Sequence, residues 1–135
     1  MTEPSIFLDT VGLLALWDRS DQWHHAAEQA FQELSTGRAG LYSSSLVFLE
    51  CANAAARRPY RSSVAALWRE MKSAGRIFHP AEKHLEEAWY DYERGIPGGP
   101  GVVDLISFQA MRHLGIERAF TNDRHFREAG FQVLF

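Results

Sequence analysis

Short apolar runs alternate with longer stretches of helical period along this chain, and Gly and Pro punctuate the joins. The run SIFL predicts a first strand, and TVGLLALW behind it has the length and apolar density of a buried helix. From Trp23, WHHAAEQAFQEL spaces Ala26, Ala27, Ala30, Phe31 and Leu34 at helical period, with Gly37 closing the helix. GLY leads through serines suited to N-capping into SLVFLECANAAARR, which Pro59 stops. YRSSVAALWREMKSAG predicts a helix ending at Gly75, and RIFH a short strand. PAEKHLEEAWYDYERG starts with a proline that a first helical turn tolerates and ends in glycine. The breaker cluster GIPGGPG, residues 95–101, is a loop. A helix over VVDLISFQAMRHLG, a strand RAFT, a helical turn RHFREAG and a terminal strand FQVLF complete the pattern. Strands alternating with helices predict an α/β fold around a mostly parallel sheet.

At 135 residues, with no internal repeat or linker, the chain is expected to form one domain over residues 1–135. Its 46% hydrophobic and 23% charged residues are those of a globular protein. No run approaches the ~20 apolar residues of a membrane span, and the first ten residues lack the basic region of a signal peptide. A cytoplasmic protein with no membrane partner is the expectation. Cys51 is the only cysteine, which excludes an intrachain disulfide and a thiolate metal site; its apolar neighbours predict a buried structural thiol. The net charge of −3 hides a segregation. Residues 51–76 carry six basic side chains against Glu70 alone, whereas residues 81–93 carry five acids against Lys83. Each is a solvated helix face on composition alone, and the basic one is the candidate for RNA phosphates.

Three carboxylates interrupt apolar runs: Asp9 between IFL and TVGLLALW, Glu50 inside SLVFLECANAAA, and Asp104 inside GVVDLISF. A buried unpaired charge costs several kcal/mol unless a partner or metal compensates it. Taken singly, Asp9 and Asp104 are explained as helix-terminal acids. Glu50 has no such account, because it falls about a turn and a half into its helix. Asp9 follows the first strand and Asp123 the RAFT strand, on the rim where open parallel sheets bind ligands. Four acids converging there repel, by roughly 3 kcal/mol per pair ~5 Å apart at an effective dielectric of 20, and so call for a cation. An all-oxygen donor set favours Mg2+ or Mn2+, and the matching reaction is metal-assisted phosphodiester hydrolysis.

IFLDT, SSLVFLECANAAAR and the C-terminal VVDLISFQAMRHLGIERAFTNDRHFREAGFQVLF, with DRSDQWHHAA between, resemble the PIN-domain ribonucleases, above all the VapC-type toxins of toxin–antitoxin pairs. The resemblance runs in order over most of the chain. It implies a three-layer α/β/α sandwich and an Mg2+- or Mn2+-dependent endoribonuclease with Asp9, Glu50, Asp104 and Asp123 as metal-site acids and Thr121 as the hydroxyl accompanying the last of them. It also implies an RNA substrate, a VapB-type antitoxin partner and a homodimer. Related enzymes often carry a serine three residues before the third acid, where this chain has Gly101, which leaves the hydrogen bonding of Asp104 open. Two alternatives stand beside this reading: a PIN nuclease of RNA processing without an antitoxin, and a non-catalytic binding module. A dehalogenase-type phosphatase would need a second aspartate at position 11, which is Val11.

Asn53, one turn after Glu50, either binds a metal-held water or satisfies a polar neighbour. His24, His25 and His125 are expected to be structural, and Trp17, Trp23, Trp68 and Trp89 to pack in the core or a dimer interface.

Overall fold

Five parallel strands in the order β3-β2-β1-β4-β5 form the centre of the molecule, seen in a computed structural model that describes residues 4–37 and 39–135. In chain order the elements are β1 (Ile6–Leu8), α1 (Thr10–Trp17), α2 (His24–Thr36), β2 (Leu41–Ser44), α3 (Ser45–Ala55), α4 (Arg61–Ser73), β3 (Ile77–Phe78), α5 (Glu82–Arg94), α6 (Val102–Leu114), β4 (Arg118–Phe120), α7 (Arg124–Glu128) and β5 (Gln132–Val133). The α/β class and the alternation are as expected, but the RIFH and FQVLF strands keep only two residues each.

The chain runs outward from β1 through β2 to β3, then returns across the sheet to β4 on the other side of β1 and ends at β5. With right-handed crossovers, α1 to α4 cover one face and α5 to α7 the other, giving the α/β/α sandwich. The reversal makes the carboxyl ends of β1 and β4 the switch point of the sheet, the place where such folds bind ligands. These two strands pair in register, Leu8 beside Phe120, so the residues that follow them emerge side by side.

Every residue of β1 is fully buried, as expected for the middle strand of a sheet covered on both faces. Gly12 lets α1 lie directly on β4: a Cβ there would stand 2.0 Å from the Phe120 carbonyl oxygen. This close approach holds the start of α1 against the end of β4. Gly12→Ala should therefore force the helix off the sheet, costing about 1–3 kcal/mol and lowering the melting temperature by roughly 5–15 °C. An unchanged thermal melt would contradict the contact.

Several boundaries differ from expectation for local reasons. Gly37 closes α2 in extended geometry (φ −91°) rather than left-handed, whereas Gly95 closes α5 at φ 75°. Trp23 precedes α2 and is exposed, and Pro80 lies before the Ala81 cap of α5. Trp68 packs edge-on against Phe48 as expected of a packing residue, while Trp89 is exposed. Cys51 is buried, and burial pushes its thiol up to about 12, so it stays protonated as a structural thiol should.

Candidate active site

The carboxyl end of β1 delivers Asp9 as the N-cap of α1, with its Oδ2 accepting from the Val11 amide at 3.4 Å. Its carboxylate is almost completely buried, and an adjacent element supplies the partner it needs. The Thr121 hydroxyl, at the end of β4, donates to Asp9 Oδ2 at 2.9 Å and accepts from the Asp123 amide at 3.1 Å. Thr121 thereby links the two acids emerging from β1 and β4. Asp123 caps α7, its Oδ1 accepting from the His125 amide at 2.9 Å.

Asp104 is the third residue of α6, one turn inside the N-terminus, where the helix dipole favours an acid. The Gly101 amide, at the N-cap position, steadies its negative charge, which is one half of a capping box. The other half, a cap side chain, is absent because residue 101 is glycine. The departure noted in the sequence thus removes a hydroxyl and leaves the backbone contact in place. Glu50 reaches the site from α3 and is held by the Thr10 hydroxyl, which donates to its Oε1 at 2.6 Å.

The electrostatics bind these residues into one cluster. Burial pushes the Asp9 carboxyl up to about 7, and the Thr121 hydroxyl opposes the shift, while the charges of Asp104 and Asp123 add to it. Burial and then the charge of Asp123 push Asp104 up to about 6, with His125 opposing and Glu50 adding. The charges of Asp104 and Asp123 thus reach Asp9, and the charge of Glu50 reaches Asp104.

His125 was expected to be structural, and through Nε2, 2.8 Å from the Gly98 carbonyl oxygen, it does pin the glycine loop. Its other nitrogen was not foreseen in the site. Nδ1 lies 2.9 Å from Asp123 Oδ1 and 3.6 Å from Asp104 Oδ2, is buried, and makes no aligned hydrogen bond. Donor atoms of Asp104, Asp123 and His125 all lie within 4.8 Å of one another. Two crowded carboxylates beside a buried imidazole nitrogen are an arrangement that a cation would satisfy, so the donor set fits a metal. The i,i+2 spacing of Asp123 and His125 across the start of a short helix was the available signal. His24, by contrast, serves packing, its Nδ1 standing 2.9 Å from the Ala15 carbonyl oxygen. Asn53 is exposed on α3, one turn beyond Glu50.

The family model of the PIN domain matches residues 6–132. Among solved structures, Mycobacterium tuberculosis VapC20, described as a sarcin–ricin-loop-cleaving toxin, superposes with a TM-score of 0.78 at 28% identity, over 94% of this chain and 96% of that one. DNA-bound VapBC from Salmonella typhimurium superposes at 0.59 with 17% identity, covering 97% of each chain. FitAcB from Neisseria gonorrhoeae does so at 0.61 with 14% identity, covering 96% of each, and these last two share the fold. No curated protein sequence matches the chain closely.

Proposed function

This chain belongs to the PIN-domain family, and from that premise we propose that it is a metal-dependent endoribonuclease acting as the toxin of a toxin–antitoxin pair. The observation that supports the reading is the acidic cluster at the switch point of the sheet: Asp104 and Asp123 crowd together with His125, and burial with neighbouring negative charge pushes Asp9 and Asp104 well above the usual carboxylate range. Nothing in folding requires such crowding, and it costs stability unless a proton or a cation compensates the charge. The likeness to a sarcin–ricin-loop-cleaving toxin supports RNA as substrate.

Asp9, Glu50, Asp104 and Asp123 would hold Mg2+ or Mn2+; of these, Asp104 and Asp123 have donor atoms within 4.8 Å of each other and of a His125 ring nitrogen. A bound ion of this kind neutralises charge on phosphodiester oxygens and lowers the pKa of an attacking water. The chain's own groups do the remaining work. Thr121 fixes the orientation of Asp9, and Thr10 that of Glu50, so the site is organised before substrate arrives. Glu50 is exposed and spends one oxygen on Thr10, which leaves the other to orient the attacking water. His125 keeps the Gly98 loop against the site through Nε2.

We assign the control of this activity to a VapB-type antitoxin, the kind of partner present with the Salmonella typhimurium relative. An apolar groove of about 600 Å³ between α3 and α4, lined by Phe48, Leu49, Ala52, Val64 and Trp68, is a surface suited to an apolar helix of that partner. The exposed Trp89, Tyr90 and Tyr92 on α5 support a homodimer. No described helix is long and apolar enough to cross a membrane.

Controlled expression followed by sequencing of new RNA ends tests the proposal. Expected are discrete cleavage sites that appear on induction and disappear on co-expression of a cognate VapB-type antitoxin. An unchanged RNA population in cells that accumulate folded protein would refute it.

A further inference from the structure

A second hollow, of about 560 Å³, lies at the end of α1 remote from the carboxylates and is lined by Trp17, Asp18, Arg19, Arg58, Tyr60 and Ser63 among others. That volume is in the range of small-ligand sites. One wall is the near-parallel pair Trp17 and Tyr60, with ring centroids 6.5 Å apart and planes 21° from each other, both rings half-buried. Packing in the core or a dimer interface was the expectation for Trp17; it packs against the core, and its ring also borders an open hollow. Arg19 and Arg58 are exposed on the rim, and neither makes an ion pair among the described residues. The acid of the hollow, Asp18, is turned onto Ser20, whose amide and hydroxyl donate to Oδ1 at 2.9 and 2.6 Å. Two exposed guanidinium groups thus flank an aromatic platform, with the charge of Arg58 also reaching Asp18 beside it.

The hollow is also connected to the carboxylates. α1 packs against α3, and the Thr10 to Glu50 hydrogen bond ties their upper parts together. Along α3 and the turn after it, Glu50, Asn53 and Arg57 recur at i, i+3 and i+7, one face leading from the site toward Arg58 and Tyr60. From Thr10 to Trp17 the helix rises about 10 Å, a length of about three stacked nucleotides.

We propose that this hollow is a subsite for single-stranded RNA: one base stacks on the Trp17–Tyr60 platform while Arg19 and Arg58 take neighbouring phosphates, about three nucleotides from the phosphodiester held at the carboxylates. The assignment rests on the ribonuclease reading and deepens it. An aromatic face beside two exposed cations suits a nucleic-acid strand, because every base offers a π-face and every linkage an anion.

The test is binding of an unstructured twelve-nucleotide RNA in chelator, where cleavage is off, followed by fluorescence anisotropy over a salt series. Arg19→Gln/Arg58→Gln changes two exposed side chains and leaves folding intact. It should weaken binding about tenfold near physiological salt and flatten the slope of log affinity against log salt by about 1.4, as loss of two single-strand phosphate contacts requires. RNA should quench tryptophan emission in the parent and less in Trp17→Phe. With metal restored, the double variant should raise KM for the twelve-mer and leave cleavage of a dinucleotide, too short to reach the hollow, unchanged. Unaltered affinity and slope in the double variant would overturn the subsite while leaving the nuclease intact. A parent protein that neither binds nor cleaves RNA would overturn both readings. A double variant that keeps its RNA affinity but loses the antitoxin would also overturn the subsite, making the hollow a protein-docking surface.

Discussion

Asp123→Asn should abolish RNA cleavage, and with it growth inhibition, while the protein melts within a few degrees of the parent. Asp123 performs two tasks that this substitution separates. As the cap of α7 it accepts from the His125 amide, a role that asparagine fills about as well as aspartate. As a member of the acid cluster it supplies a negative charge beside Asp104 and Asp9, and asparagine cannot. Replacing even an outer partner of a metal ligand costs about 10–100-fold, so loss of a ligating charge should cost about 100-fold or more in rate. Paired measurements of cleavage and thermal melting in chelator decide between the two roles. A variant with full activity would return Asp123 to capping alone.

Without a divalent cation, the protein should become less stable as pH rises from about 5 to 8, the reverse of the usual behaviour of carboxylates. The sign follows from Asp9 and Asp104, whose carboxyls the fold holds at about 7 and about 6, against 3.8 for the free group. The folded state binds these protons more tightly than the unfolded chain does. Their contribution is therefore complete below about pH 4 and is lost as pH rises through 6 and then 7. Above that range both groups are ionised inside a crowded cluster. Mg2+ or Mn2+ should restore what the protons supplied, by about 2.7 kcal/mol at a hundredfold excess over its dissociation constant, which is a rise of roughly 5–15 °C at pH 8 and much less at pH 5. Asp9→Asn should flatten the pH dependence. Melting curves that fall in parallel at both pH values, with and without metal, would contradict this account.

Asp9 and Asp104 were legible in the sequence because each interrupts an apolar run, IFLDTVGL and GVVDLISF, and the fold buries the first and half-buries the second; Glu50, read the same way inside SLVFLECANA, lies instead on the exposed side of α3. The alternation of short apolar runs with helical periods was enough for the α/β class, and the rim position of Asp9 and Asp123 followed from it. What stayed hidden depends on contacts between distant segments. Thr10 reads as an ordinary first helical residue until α3 brings Glu50 to its hydroxyl. His125 reads as a structural histidine, because nothing local shows that α6 places Asp104 across from its ring. Gly12 looks like a flaw in an apolar helix, and only the Phe120 carbonyl behind it shows why no side chain fits. Trp17 reads as a packing residue and does pack against the core, but helical spacing cannot show that the turn before α4 also places Tyr60 and Arg58 beside it around an open hollow.

The central claim, that the carboxylates at the switch point form a cation-dependent ribonuclease site, is tested most directly by incubating the purified, antitoxin-free protein with RNA while titrating Mg2+ or Mn2+ from a chelated start. The account predicts no cleavage in chelator, saturable endonucleolytic cleavage as either cation is added, and no cleavage at any concentration for Asp9→Asn or Asp123→Asn. Equal cleavage by the parent in chelator and in metal, or by both variants at the parent's rate, would contradict it.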